Sequence, residues 1–217
     1  MIMVHGGAWR GPDSREQARL LGEPGKLLLR HRWRIVSVDY RQGKQGLRDV
    51  LAAVERLGRG PGGAPLCLYG ESAGGHLALV AAARRPSVDC VIAAGAPTDF
   101  QAYFASAATS AEPLHRQVAD LIRRIFGTTP AATAPWEPVR LARRIKADVL
   151  LLRAENDPLI PLDQMKRFLS VRPSTRFVDL EGGGPHRWVH AFLSARGERV
   201  RRSTVTAFVD RAAAAAR

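Results

Sequence analysis

The sequence predicts an α/β fold: an open, mostly parallel, doubly wound sheet of about six strands with helices on both faces. Six short runs are almost continuously apolar rather than alternating, as strands covered on both faces must be. Longer helical patterns separate these runs, and such alternation implies crossover connections between parallel strands. At 217 residues the chain is long enough to bury one core without staples, so residues 1–217 read as a single domain.

In chain order, strands are expected at Met1–His5, Arg34–Asp39, Pro65–Gly70, Asp89–Gly95, Asp148–Arg153 and Thr175–Leu180. Helices are expected over Ser14–Arg30 (broken near Pro24), Leu47–Leu57, Ala73–Arg84, Leu114–Phe126, Leu162–Leu169 and Val200–Ala215. Within the fourth, Leu114, Val118, Leu121, Ile122 and Ile125 recur at helical spacing and mark one buried face. The longest interval between strands, 97–146, holds its own helix and several prolines, and its length suggests a small lid over the site. Ligands of such sheets bind beyond the carboxyl ends of the strands.

Composition narrows the function. No apolar run approaches the ~20 residues of a membrane span, and Met1–His5 runs straight into glycines, so neither membrane anchoring nor a signal peptide is read. Cys67 and Cys90 lie in separate apolar runs and read as reduced core residues rather than a disulfide framework, consistent with a cytoplasmic location. The net charge of +13 comes almost entirely from arginines scattered in ones and twos. Nucleic-acid binding would call for a continuous basic face with interleaved aromatics; this pattern reads instead as a solvated surface with some bias for anionic partners. No metal or cofactor is implied, since no His/Asp/Cys cluster has ligand spacing.

The strongest motif is Gly70-Glu71-Ser72-Ala73-Gly74, between a predicted strand and a predicted helix. A serine at so sharp a turn adopts a strained backbone, and flanking glycines let neighbouring chain approach closely. Its hydroxyl then stands above the sheet at a helix N-terminus, where the Ala73 amide can donate to an oxyanion. A second motif, His5-Gly6-Gly7-Ala8-Trp9, follows the first strand and can turn backbone amides toward a carbonyl oxygen. A serine hydroxyl needs a base. His186, in the glycine-rich loop after the last strand, is the candidate, with His190 as runner-up, while His76 is expected to pack and His31 and His115 to lie on helix surfaces. Asp157, in the turn Glu155-Asn156-Asp157-Pro158 after the fifth strand, can orient that base. Glu155 is the near alternative, and Asp163 reads as a helix cap. The chain order Ser72, Asp157, His186 is the one a serine triad takes on this kind of sheet. Trp9 and Trp188 flank the motifs and read equally as pocket walls or as core.

Taken together, Gly70–His76, His5–Trp9, Val38-Asp39-Tyr40-Arg41, Asp157–Pro161 and Gly183–Trp188 resemble the motifs of α/β-hydrolase serine esterases. The resemblance is to the hormone-sensitive-lipase-like and feruloyl-esterase-like groups, with the H-G-G-x-W loop of kynurenine formamidase-like enzymes. It spans nearly the whole chain and favours His186 over His190. It implies an oxyanion hole built from the amides of Gly7, Ala8 and Ala73, and a small-molecule ester or amide substrate cleaved through an acyl-enzyme. Members of those groups carry about two more strands before the H-G-G loop. Their absence here suggests a minimal sheet or a gene start set too far downstream, and a bare sheet edge that a homodimer could cover. Arylformamidase, thioesterase, peptidase, acyl-transfer or cyclase chemistry would use the same triad, and a catalytically silent binding protein would keep only the fold.

Overall fold

The computed structural model describes residues 1–11, 22–182 and 193–215. Six strands form one fully parallel sheet: β1 (Ile2–Val4), β2 (Val36–Val38), β3 (Cys67–Glu71), β4 (Cys90–Ala94), β5 (Asp148–Ala154) and β6 (Arg176–Leu180). Each lies on the apolar run expected to supply it. The spatial order is β2-β1-β3-β4-β5-β6. The chain therefore steps outward from β1 to β2, crosses back to β3, and winds the other way. The order reverses between β1 and β3, and there the loops leaving the two strands diverge to opposite faces and open a crevice.

The helices are α1 (Gly22–Arg30), α2 (Lys44–Leu57), α3 (Ala73–Arg84), α4 (Phe100–Ala108), α5 (Pro113–Phe126), the short α6 (Pro130–Thr133) and α7 (Pro138–Leu141), α8 (Leu162–Val171) and α9 (Ala195–Ala215). The first part of the helix expected from Ser14 falls outside the described residues. The 97–146 interval holds four helices where one was expected. The unexpected α4 buries Phe100, Tyr103, Phe104 and Ala107 at i, i+3, i+4 and i+7, a helical stripe in which small residues, alanines and Ser106, dilute the apolar signal.

Strand residues alternate between two cores, as the two-residue period of a strand demands. Ile2, Val4, Leu68, Val91, Ala93, Val149 and Leu151 face α2, α3, α5 and α8. Met3, Cys67, Tyr69, Cys90, Ile92, Leu150 and Leu152 face Leu28 of α1 and Val205, Phe208 and Val209 of α9. The cysteine reading is corrected here. Cys67 and Cys90 are register partners on neighbouring strands, point to the same face, and form a disulfide with Cα atoms 4.5 Å apart. Two separate apolar runs gave no hint of that pairing, because register is a property of the sheet. His115 is a second correction: α5 buries it against Tyr103, so it is not a surface residue. No helix among the described residues is long and apolar enough to cross a membrane.

Candidate active site

Ser72 sits between the last residue of β3 and the first of α3, with φ 49° and ψ −119°. A non-glycine residue pays of order 1–3 kcal/mol for such a backbone, so its surroundings must hold it there. They do so through hydrogen bonds and close packing. The Ser72 amide donates to Ala94 O at 2.8 Å, and its carbonyl accepts from the His76 amide at 3.0 Å. A Cβ on Gly74 would lie 2.1 Å from Val4 O and 2.4 Å from His5 O, and one on Gly70 would lie 2.3 Å from Gly74 O. The glycines thus let α3 start directly against the end of β1, which brings the His5–Trp9 loop beside Ser72.

That loop turns through three successive left-handed residues, Gly7 (φ 96°), Ala8 (φ 54°) and Trp9 (φ 57°). The Tyr40 hydroxyl, shared between His5 O at 3.0 Å and Gly6 O at 2.9 Å, ties it down from the end of β2. The His5 ring stacks on Tyr40 at 4.3 Å between centroids. Trp9 Nε1 donates to His76 Nδ1 at 3.1 Å, and His76 Nε2 donates to Trp136 O at 2.7 Å. Burial pushes the His76 pKa down to about 4, against the pull of the Trp136 carbonyl. Both ring nitrogens are engaged and the imidazole is neutral, so His76 packs, as its place on the helix led one to expect. Trp9 is 1% exposed and meets Phe100 and Phe126 edge-on, yet it also lines the cavity at Ser72. It serves as core and as wall at once.

Asp157 stands in the turn after β5. Its Oδ1 accepts from the amides of Leu159 at 2.9 Å and Ile160 at 3.0 Å. Buried Arg153 braces this turn by donating to Glu155 O at 3.1 Å and to Asp179 Oδ2 at 2.7 Å. Burial pushes the Asp157 pKa up to about 6, although both amide bonds and Arg153 pull it down. Of the alternatives, Glu155 is exposed, and Asp163 pairs with Arg167 at the surface without capping α8.

The folded state holds the Asp157 proton more tightly than the unfolded chain between its ordinary pKa of 3.8 and about 6. The ionised carboxylate therefore costs stability above that window, by on the order of 3 kcal/mol. Asp157→Asn keeps an oxygen for the two amides. It is expected to melt above wild type at pH 8, with the gain shrinking as pH falls from 6 toward 4. A gain independent of pH would show that charge burial is not its cause.

A small cavity of about 20 Å³ opens at Ser72. Ala8 and Trp9 wall it on the β1 side, and Leu159 and Ile160 on the acid-loop side. Pro97, Tyr103 and Val118 close it from the 97–146 interval. A Gln164 network aligns these walls: its Oε1 accepts from the amides of Thr98 and Asp99, both at 2.9 Å, and its Nε2 donates to Asp99 O at 3.0 Å. Asp99 in turn caps α4 by accepting from the Ala102 amide at 2.9 Å. Among the described residues, no group of three or more His, Cys, Asp or Glu side chains is placed to hold a metal ion.

The profile of the Alpha/beta hydrolase family matches residues 1–202. The chain belongs to that family. Solved structures agree with this fold. A puromycin-hydrolyzing peptidase of Mycobacterium tuberculosis superposes with TM-score 0.71 at 19% identity, over 98% of this chain and 34% of the peptidase. The chain therefore spans about a third of that protein's length. An esterase/lipase from an uncultured bacterium gives 0.75 at 18% identity over 98% and 76% of the two chains. A truncated carbohydrate esterase from gut microbiota gives 0.72 at 18% over 98% and 85%. No curated protein sequence matches the chain.

Ser72, Gly7, Ala8, Ala73 and Trp9 gather at the reversal point of the hydrolase sheet, and Asp157 stands in the loop that walls the same cavity. His186, Trp188 and the runner-up His190 lie outside the described residues. Sequence reasoning missed Tyr103, Pro97 and Val118 as site residues. Only the i, i+3, i+4 stripe of α4 could have flagged Tyr103, and it would not have said what that stripe faces.

Proposed function

We propose that this hydrolase cleaves carboxylic esters through an acyl-enzyme intermediate, with Ser72 as nucleophile, His186 as base and Asp157 as the acid that orients it. The strained, glycine-packed backbone of Ser72 beside the left-handed Gly7–Trp9 loop supports this reading best, because a mere turn has no need of either. Ser72 Oγ attacks the acyl carbon as its proton passes to His186. The carbonyl oxygen becomes an oxyanion and accepts from the amides of Gly7, Ala8 and Ala73, none of which has a hydrogen bond to another group among the described residues. Collapse breaks the bond to the alcohol oxygen, which leaves with the His186 proton. Water then repeats the sequence on the Ser72 ester, giving the free acid and restoring the serine. The esterases of like fold make esters the first substrates to try.

Hydrolysis of p-nitrophenyl esters from acetate to decanoate tests this reading. The cavity has room for only a few heavy atoms, so kcat/KM is expected to peak between acetate and butyrate. Decanoate should be slower by about tenfold or more, since misfit of even one methylene is worth ~1–3 kcal/mol. A maximum at decanoate would place the acyl chain outside this cavity, and no hydrolysis of any member would overturn the ester reading.

A further inference from the structure

We propose that the Tyr103 hydroxyl is the hydrogen-bond donor for a short acyl group carrying an oxygen acceptor, which makes the Ser72 cavity selective for alkoxyacyl or hydroxyacyl esters over plain alkanoyl ones. This rests on the ester-hydrolase reading and adds the class of acyl group to it. Tyr103 is fully buried, its hydroxyl has no hydrogen-bond partner among the described residues, and it lines the cavity at Ser72. Buried polar groups in folded proteins are nearly always paired, and leaving one unpaired costs about 1–3 kcal/mol.

The neighbours that might satisfy this hydroxyl are engaged elsewhere. Ser106 Oγ donates to the Tyr103 carbonyl at 2.9 Å and lies 3.4 Å from His115 Nε2, while the His115 ring meets the Tyr103 ring edge-on at 4.6 Å. Of the described residues lining the cavity, Pro97, Val118, Leu159 and Ile160 bring apolar side chains, Trp9 Nε1 is engaged by His76, and Ser72 brings the other hydroxyl. Among the described residues nothing pairs with this hydroxyl, and a bound acyl oxygen supplies the acceptor. Burial raises the Tyr103 pKa, and the nearby Asp157 charge raises it further, so the group stays a protonated donor at working pH. The Asp99 cap and the Gln164 network hold α4 in place, so the donor is positioned before substrate arrives.

The test compares p-nitrophenyl methoxyacetate with p-nitrophenyl butyrate, which differ only by an oxygen in place of one methylene. Wild type and Tyr103→Phe are measured on both, and the intrinsic reactivity of the two esters cancels when the variants are compared. The ratio of kcat/KM, methoxyacetate over butyrate, is expected to fall about tenfold in Tyr103→Phe. The phenylalanine variant should melt no lower than wild type, because the hydroxyl makes no hydrogen bond among the described residues. Ser72-dependent turnover with a ratio unchanged within about twofold would overturn this proposal alone. A melting point several degrees lower would also overturn it, by revealing an internal partner for the hydroxyl. Turnover that survives Ser72→Ala, or no turnover of either ester, would instead overturn the ester-hydrolase reading, and this proposal with it.

Discussion

Ser72→Ala is expected to lower ester turnover by roughly five to six orders of magnitude and to abolish covalent labelling by a serine-directed fluorophosphonate. Members of a triad act as a unit, so removing the nucleophile costs about as much as removing the whole constellation. The variant should fold as wild type does. Alanine inherits the same left-handed backbone at 72, with φ 49°, and the Ala94 and His76 hydrogen bonds are main-chain bonds that survive the change. The melting temperature therefore separates chemistry from stability: a stable, unlabelled, inactive variant is the expected result. Labelling that persists, or turnover within about tenfold of wild type, would remove Ser72 from the mechanism.

Gly74→Ala is expected to be the most damaging single substitution outside the triad, and to act through the fold. The added methyl would sit 2.1 Å from Val4 O and 2.4 Å from His5 O. Both obstacles are backbone, and the first belongs to a strand hydrogen-bonded on either side. Relief requires α3 to pull away from β1, which separates Ser72 from the Gly7–Trp9 loop. A cost of at least about 3 kcal/mol is expected, seen as a large fall in melting temperature or as failure to accumulate folded protein. Gly22→Ala is the control, since among the described residues nothing lies within 4 Å of its Cβ position. A Gly74→Ala protein that melts like wild type and keeps its activity would show that the elbow does not depend on this contact.

The parts of this protein that were legible in its sequence are those set by local rules. The strands could be read because a strand covered on both faces has nothing but apolar residues to offer, as in Val91-Ile92-Ala93 and Leu150-Leu151-Leu152. The elbow could be read because a strand, a serine and three glycines at fixed spacing leave little choice of backbone. Its glycines prove to be places where main chain meets main chain. Helix α4 was lost for the opposite reason: its stripe of Phe100, Tyr103, Phe104 and Ala107 is interrupted by small residues that suit a loop as well. His115 was misplaced because the buried face of α5 is centred on His115, Ala119, Ile122 and Phe126, leaving Leu114, Val118, Leu121 and Ile125 half-buried, and a histidine can be packed edge-on against a tyrosine.

By itself, then, the sequence determined the sheet, its parallel winding and the position of the elbow, since each follows from residues close together along the chain. Only the tertiary structure decided the partners. Cys67 meets Cys90 because β3 and β4 align them in register. His76 is held neutral because Trp9 and the Trp136 carbonyl arrive from elsewhere in the chain. Tyr103 lines the same cavity as Ser72, its hydroxyl unpaired among the described residues, because Asp99 and Gln164 fix the start of α4. Each of these depends on which distant residues share a space, and no spacing along the chain encodes that.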